Sequence, residues 1–123
     1  VIAKYNVVSA PVAARMALGA AAASGSDIAV SVTGVAGPTG GDEVRPVGTV
    51  YLGAARGDTV YVQKLFVSRP DRALVRARAA QAALALALRL AQGKVPAHTK
   101  PLAASEQHSA AALDALNEAF LAE

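Results

Sequence analysis

The chain has no cysteine and no tryptophan, and only 4% of its 123 residues are aromatic. Without cysteine there is no disulfide framework and no thiolate metal site. The two histidines, His98 and His108, lie towards the C-terminus with no metal-ligand partners near them, so no metal is expected. Scarce aromatics leave little to stack on bases. The twelve basic residues against nine acidic ones form no single run, so a nucleic-acid surface is not expected either. Long apolar runs are missing. The longest candidate, Ala79 to Ala91, is broken by Gln81 and Arg89, which excludes a membrane span. The N-terminus lacks the charged, apolar and cleavage-site order of a signal peptide. These absences together predict a soluble cytoplasmic protein.

The chain is 54% hydrophobic, much of it alanine. Its length suits one domain with a real core, and the Val, Ile and Leu of its strands must supply most of that core. It opens on Val1 with no cap and no disordered lead. A segment of a longer protein, or a misplaced start, would look like this.

Local signals give the order of elements. Ser9 is a good N-cap with Pro11 in the first turn, and a helix runs from there to Ala23, stopped by Gly25. Asp27 to Thr33 reads as a strand buried on both faces. After a glycine-rich loop, Val47 to Ala55 is the next strand, Arg56-Gly57-Asp58 a hairpin turn, and Thr59 to Val67 the antiparallel return. An Arg-Gly-Asp triplet there reads as turn chemistry rather than adhesion. Ser68-Arg69-Pro70-Asp71 opens a long helix, with Ser68 or Arg69 just outside and Pro70 in its first turn; Arg72 to Gln92 continues it and Gly93 stops it. Leu74, Ala77, Leu84 and Leu88 can line its apolar face. Lys94 to Ala104, with two prolines, reads as a linker. Ser105 or Ser109 caps a last helix with Leu113, Leu116 and Phe120 as its stripe. The sequence thus divides into a domain over residues 1–93 and a linker with a C-terminal helix over 94–123. The pattern is mixed α/β with at least one antiparallel pair.

The glycine loop, Thr33-Gly34-Val35-Ala36-Gly37-Pro38-Thr39-Gly40-Gly41, carries four glycines in nine residues, at a cost in backbone entropy. It lacks the Gly-Lys-Ser/Thr of a P-loop, and neither its spacing nor a following helix fits a dinucleotide fingerprint. Successive N–H groups in such a loop can cradle an anion, and a threonine hydroxyl can donate or accept. From the residues alone, a plain turn and a ligand cradle both stand open. Arg72 and Arg76, four apart, share a helix face that suits a phosphate or carboxylate, with a solvated basic face as the alternative. Asp42 and Glu43 are adjacent in the loop, not a spaced glycosidase pair. Lys4 and Ser9 could suggest a Ser–Lys nucleophile, but Ser9 is better explained as a cap.

Four blocks, VVSAPVAARMALGA, DIAVSVTGVAGPTGG, RPVGTVYLGAA and PDRALVRARAAQAAL, resemble the C-terminal domain of the CinA (competence- and damage-inducible) family, known as nicotinamide-mononucleotide amidohydrolase. The likeness runs from about Tyr5 to about Ala91. It implies a three-layer α/β sandwich with a mixed sheet, N-terminally incomplete. It implies hydrolysis of the nicotinamide carboxamide to the acid with release of ammonia, by a serine assisted by a lysine, with no metal and no organic cofactor. Thr33, Gly34, Ala36 and Gly37 become substrate contacts by this resemblance. Arg72 becomes a phosphate or pocket-wall residue, with Arg76 second. The resemblance also implies a departure. The family's serine motif (like ESCTGG) and lysine motif (like YSNEAK) lie upstream of the Asn6-Val7-Val8-Ser9 cap and occur nowhere in this chain. No catalytic residue is therefore assigned. The expectations are an inactive chain that still contacts nicotinamide mononucleotide and associates with itself or a missing front segment; the alternative is a non-catalytic nucleotide-binding or assembly remnant.

Overall fold

The structure, a computed structural model, describes residues 5–35, 46–68 and 71–122. Helix α1 (Ala10–Ser24) leads into strand β1 (Ile28–Gly34). Strands β2 (Thr49–Arg56) and β3 (Thr59–Phe66) form a hairpin. Helix α2 (Arg72–Ala91), strand β4 (Lys100–Ala103), a 3₁₀ turn (Ala104–Glu106) and helix α3 (Ala110–Leu121) complete the chain.

The sheet order is β1-β2-β3-β4. Every pairing among the described residues is antiparallel, so the mixed character expected of the sheet is not seen in them. Three layers are present. On one face of the sheet α1 and α3 cover Tyr51, Ala55, Val60, Val62 and Leu102. On the other, α2 covers Val50, Leu52 and Ala54. Alternate residues of β2 thus face opposite layers, and Thr49 to Ala55 are all buried. The expectation of burial on both faces belongs to β2. In β1 only Ser31 and Thr33 are buried, and Val32 is 42% exposed; among the described residues β1 has one neighbouring strand.

Local chemistry sets the helix ends. The Ser9 hydroxyl accepts from Val12 N, and Gly25 closes α1 at φ +69, its N–H bonded to Ala21 O. Asp71 caps α2 by accepting from Leu74 N at 2.9 Å. That replaces Ser68 or Arg69 as the cap, since the Asp71 carboxylate can reach the third-residue N–H of a helix beginning at Arg72. Gly57, at φ +62, makes the β2–β3 turn with Asp58, as expected.

Two expectations fail. The buried stripe of α2 is Val75, Ala79, Leu86 and Leu90, whereas Leu84 and Leu88 are exposed. Alanine and leucine occupy every side of this helix, so the sequence period offers little contrast. Within the expected linker, Lys100–Ala103 pairs with Thr59–Val62 as strand β4, at the edge of the sheet among the described residues. Pro101 is tolerated there because an edge strand has one side with no ladder to donate into.

Contact between α1 and the sheet is very close. Ser31 Oγ donates to Ala13 O at 2.6 Å. A Cβ on Gly53 would lie 2.4 Å from that same carbonyl oxygen. Gly53 is therefore required by packing: the helix backbone rests directly on the strand.

Candidate functional site at the loop end of the sheet

β1 delivers Thr33 and Gly34 to one end of the sheet, and β2 starts from that end at Thr49. The two roots of the glycine loop are clasped there. Val35 N donates to Thr49 O at 2.8 Å, and Gly48 N returns to Val35 O at 2.7 Å. Pro46 O accepts from both Thr49 N at 3.0 Å and Thr49 Oγ1 at 2.7 Å. Gly48 has φ +99, a backbone state closed to most side chains. The Pro46-Val47-Gly48-Thr49 motif is thus the lower half of a clasp that fixes where the loop leaves and rejoins the sheet.

The expected site residues divide on this frame. Thr33 is buried, and its Oγ1 donates to Val7 O at 2.8 Å. This ties the strand end to the segment before α1 and leaves the oxygen as an acceptor. A Cβ on Gly34 would meet Thr49 O and Val50 Cγ2, both at 2.9 Å, so β2 itself excludes a side chain there. Ala36 and Gly37 lie outside the described residues, as do Asp42, Glu43 and Lys4. Arg72 and Arg76 are exposed on the first turns of α2, which begins at the loop end. They belong to the layer opposite to Thr33, so the sheet separates their helix from the Thr33 side chain.

Ser9 is 1% exposed; its hydroxyl donates to Asn6 O at 2.9 Å and caps Val12 N. Asn6, at φ +79, accepts from Val8 N through Oδ1. Ser9 is held as a structural cap. His98 and His108 are exposed, and among the described residues no group of three His, Cys, Asp or Glu could hold a metal ion. No helix among them is long and apolar enough to cross a membrane.

Two residues were missed from the sequence. Lys64 and Phe66 share the Thr33 face. Thr33 pairs with Tyr51, Tyr51 with Lys64, and Thr49 with Phe66. Lys64 is half-buried, its Nζ 5.9 Å from the Tyr51 ring centroid, and Phe66 is 52% exposed. Their signal was the break in β3, where the buried valines at 60 and 62 give way to Lys64 and Phe66 on the same face. At the opposite end of the sheet an open cleft of about 740 Å³ is lined by Ser26, Asp27, Arg56 and Gln107 among others. None of Thr33, Gly34, Arg72 and Arg76 lines it. Arg56 there donates to Leu90 O, a cation at the C-terminus of α2.

Residues 1–91 match the family described as the CinA C-terminal domain. A CinA-like protein of Geobacter sp. (strain M21) is 52% identical over 75 residues, 61% of this chain and 18% of that one. The nicotinamide-nucleotide amidohydrolase PncC of Escherichia coli (strain K12) is 44% identical over 85 residues, 68% of this chain and 50% of that one. The chain therefore spans half or less of the length of these relatives. Among solved structures, the competence/damage inducible protein CihA of Agrobacterium tumefaciens superposes with a TM-score of 0.70 at 33% identity, covering 74% of this chain and 56% of that one. A CinA-superfamily protein of Escherichia coli gives 0.67 at 35% identity, covering 72% and 51%. With three quarters of its length inside the family match and the same fold in the solved relatives, this chain belongs to the CinA C-terminal domain family.

Proposed function

We propose that the chain forms the substrate wall of a nicotinamide-nucleotide amidohydrolase and does not hydrolyse the carboxamide by itself. The observation that carries this reading is the clasped loop: Val35, Gly48 and Thr49 hold its two roots in one place, as a loop presenting backbone donors to a ligand needs. The Thr33 oxygen, its proton committed to Val7 O, accepts hydrogen bonds there. A carboxamide offers two N–H donors and its acid product, once ionised, offers none, so this acceptor favours the amide over the product. Gly34, Ala36 and Gly37 supply backbone to the wall. Arg72, with Arg76 one turn further on, lends positive charge from the opposite layer of the sheet.

The attacking group is absent from this wall. The chain contains no Ser-Cys-Thr-Gly-Gly and no Ser-Asn-x-x-Lys, and its buried Ser9 is committed to a helix cap. On this reading an attacking serine and its lysine would be supplied by another segment. A docking place for such a segment, or for a second copy, is the outer edge of β1, which has no partner strand among the described residues. The same absence favours the second reading, a binding or assembly role without catalysis.

Ammonia release from nicotinamide mononucleotide by the purified 123-residue chain is expected to equal the blank. Addition of a family front segment carrying both motifs is expected to raise it. Release by the chain alone would refute the inactive wall, and no release in the mixture would favour the non-catalytic reading.

A further inference from the structure

We propose that the outward face of α2 docks an amphipathic helix of a partner protein, apolar along one stripe and acidic on its flanks. This surface is distinct from the clasped loop and does not depend on a nucleotide being bound there.

α2 is apolar on two opposite sides. Val75, Ala79, Leu86 and Leu90 are buried against the sheet. At about 100° per residue, Ala77, Ala80, Leu84, Leu88 and Ala91 fall on the other side, and all five are exposed. Leu84 is 72% exposed and Leu88 59%. A helix covered on one side ordinarily turns polar residues to water, and one that is apolar all round is buried all round. α2 therefore has the composition of a buried helix and only one covered side. The outward residues step by three and four along the chain, the spacing that packs into the groove of another helix. Leu84 and Leu88 make the ridge, and the alanines beside them let a second backbone come close.

Charge selects the occupant. The twenty residues of α2 include Arg72, Arg76, Arg78 and Arg89 and no acidic residue. Helical spacing sets Arg72 and Arg76 along one flank of the outward stripe, and Arg78 and Arg89 along the other. All four are exposed. A second copy docked through this face would set arginine against arginine, which opposes association. A helix with glutamate or aspartate on both flanks would meet a cation on each side. An anionic lipid surface would also meet the arginines. Three of the five outward residues are alanine, however, and with no aromatic residue among them the stripe offers little to insert between acyl chains.

The test uses the full chain and two labelled synthetic peptides that share an alanine and leucine stripe at heptad spacing. One carries glutamates at the flanking positions and the other lysines. Fluorescence anisotropy is expected to show saturable binding of the glutamate peptide, weakened by added salt, and no binding of the lysine peptide. Leu84→Gln and Leu88→Gln are each expected to weaken the glutamate peptide about tenfold, and Arg78→Gln about threefold. All three positions are exposed, so the variants should keep the urea midpoint of the parent chain. No binding of the glutamate peptide, equal binding of both peptides, or full affinity in both leucine variants would overturn the proposal. So would a dimer of the chain that Leu84→Gln disperses, which assigns the face to a second copy. Binding to phosphatidylserine vesicles that Leu84→Gln abolishes would overturn it in favour of a membrane.

Discussion

A chain ending at Gly93 is expected to lose its cooperative unfolding transition. Residues 94–122 lie beyond the family match, which stops at 91, and their sequence reads as a linker and a helix. In the structure they supply Leu102, Leu113, Leu116 and Phe120 to the core under α1, each no more than 6% exposed. Burying four such side chains contributes about 6–12 kcal/mol, comparable to the whole stability of a typical domain at about 5–15 kcal/mol. Without them Tyr51, Val60 and Val62 would face water, and β3 would become an open edge. The Tyr5 hydroxyl would lose its bond to Asp114 Oδ1. Circular dichroism during urea titration checks this: the full chain should unfold in one transition, and the shortened chain should show a broad change or aggregate. A shortened chain of equal midpoint would make the tail a dispensable appendage.

Gly53→Ala is expected to be a strongly destabilising addition of a single methyl group. Its Cβ would sit 2.4 Å from Ala13 O and 2.8 Å from Ser31 Oγ. The serine could turn away, at the loss of its bond to Ala13 O. The carbonyl belongs to helix backbone and can yield only if α1 lifts. Overpacking of this kind costs about 1–3 kcal/mol, a fall in Tm on the order of 10 °C. Gly19→Ala is the matched control, because nothing lies within 4 Å of its Cβ position. Alanine is also the better helix former there, so its melting temperature should stay level or rise. Equal behaviour of the two variants would contradict the close seat of α1 on β2.

Which features could be read from the sequence follows from how local their causes are. Ser9, Gly25 and Ser109 were legible because a cap is settled within four residues. The stripe Leu113, Leu116 and Phe120 was legible because α3 separates apolar from polar positions. In α2 the difference between Leu86, buried, and Leu88, exposed, depends on the sheet it lies against and not on its own composition. β4 was read as linker because four residues with a proline carry no period, and only β3 makes them a strand. Gly53 looked like an ordinary strand residue until α1 was placed above it.

The candidate site divides in the same way. Thr33, Gly34 and the Pro46–Thr49 stretch stood out as motif, and the clasp between them gives that motif a physical reason. Lys64 and Phe66 sit about thirty residues beyond Thr33 and Gly34, and only the hairpin register sets them beside Tyr51 and Thr49. Arg72 and Arg76 looked like the natural anion pair. Their spacing on one helix face is real, but spacing within a helix does not say on which side of a sheet that helix lies.

The measurement that tests the central claim most directly is a nuclear magnetic resonance titration of the full chain with nicotinamide mononucleotide, following backbone amides. The account predicts saturable shifts at Thr33 to Gly37 and at Gly48 and Thr49, with Ser26, Asp27 and Arg56 at the opposite end unchanged. Shifts confined to the cleft around Asp27 and Arg56, or no shift at the clasped loop at saturating nucleotide, would contradict it.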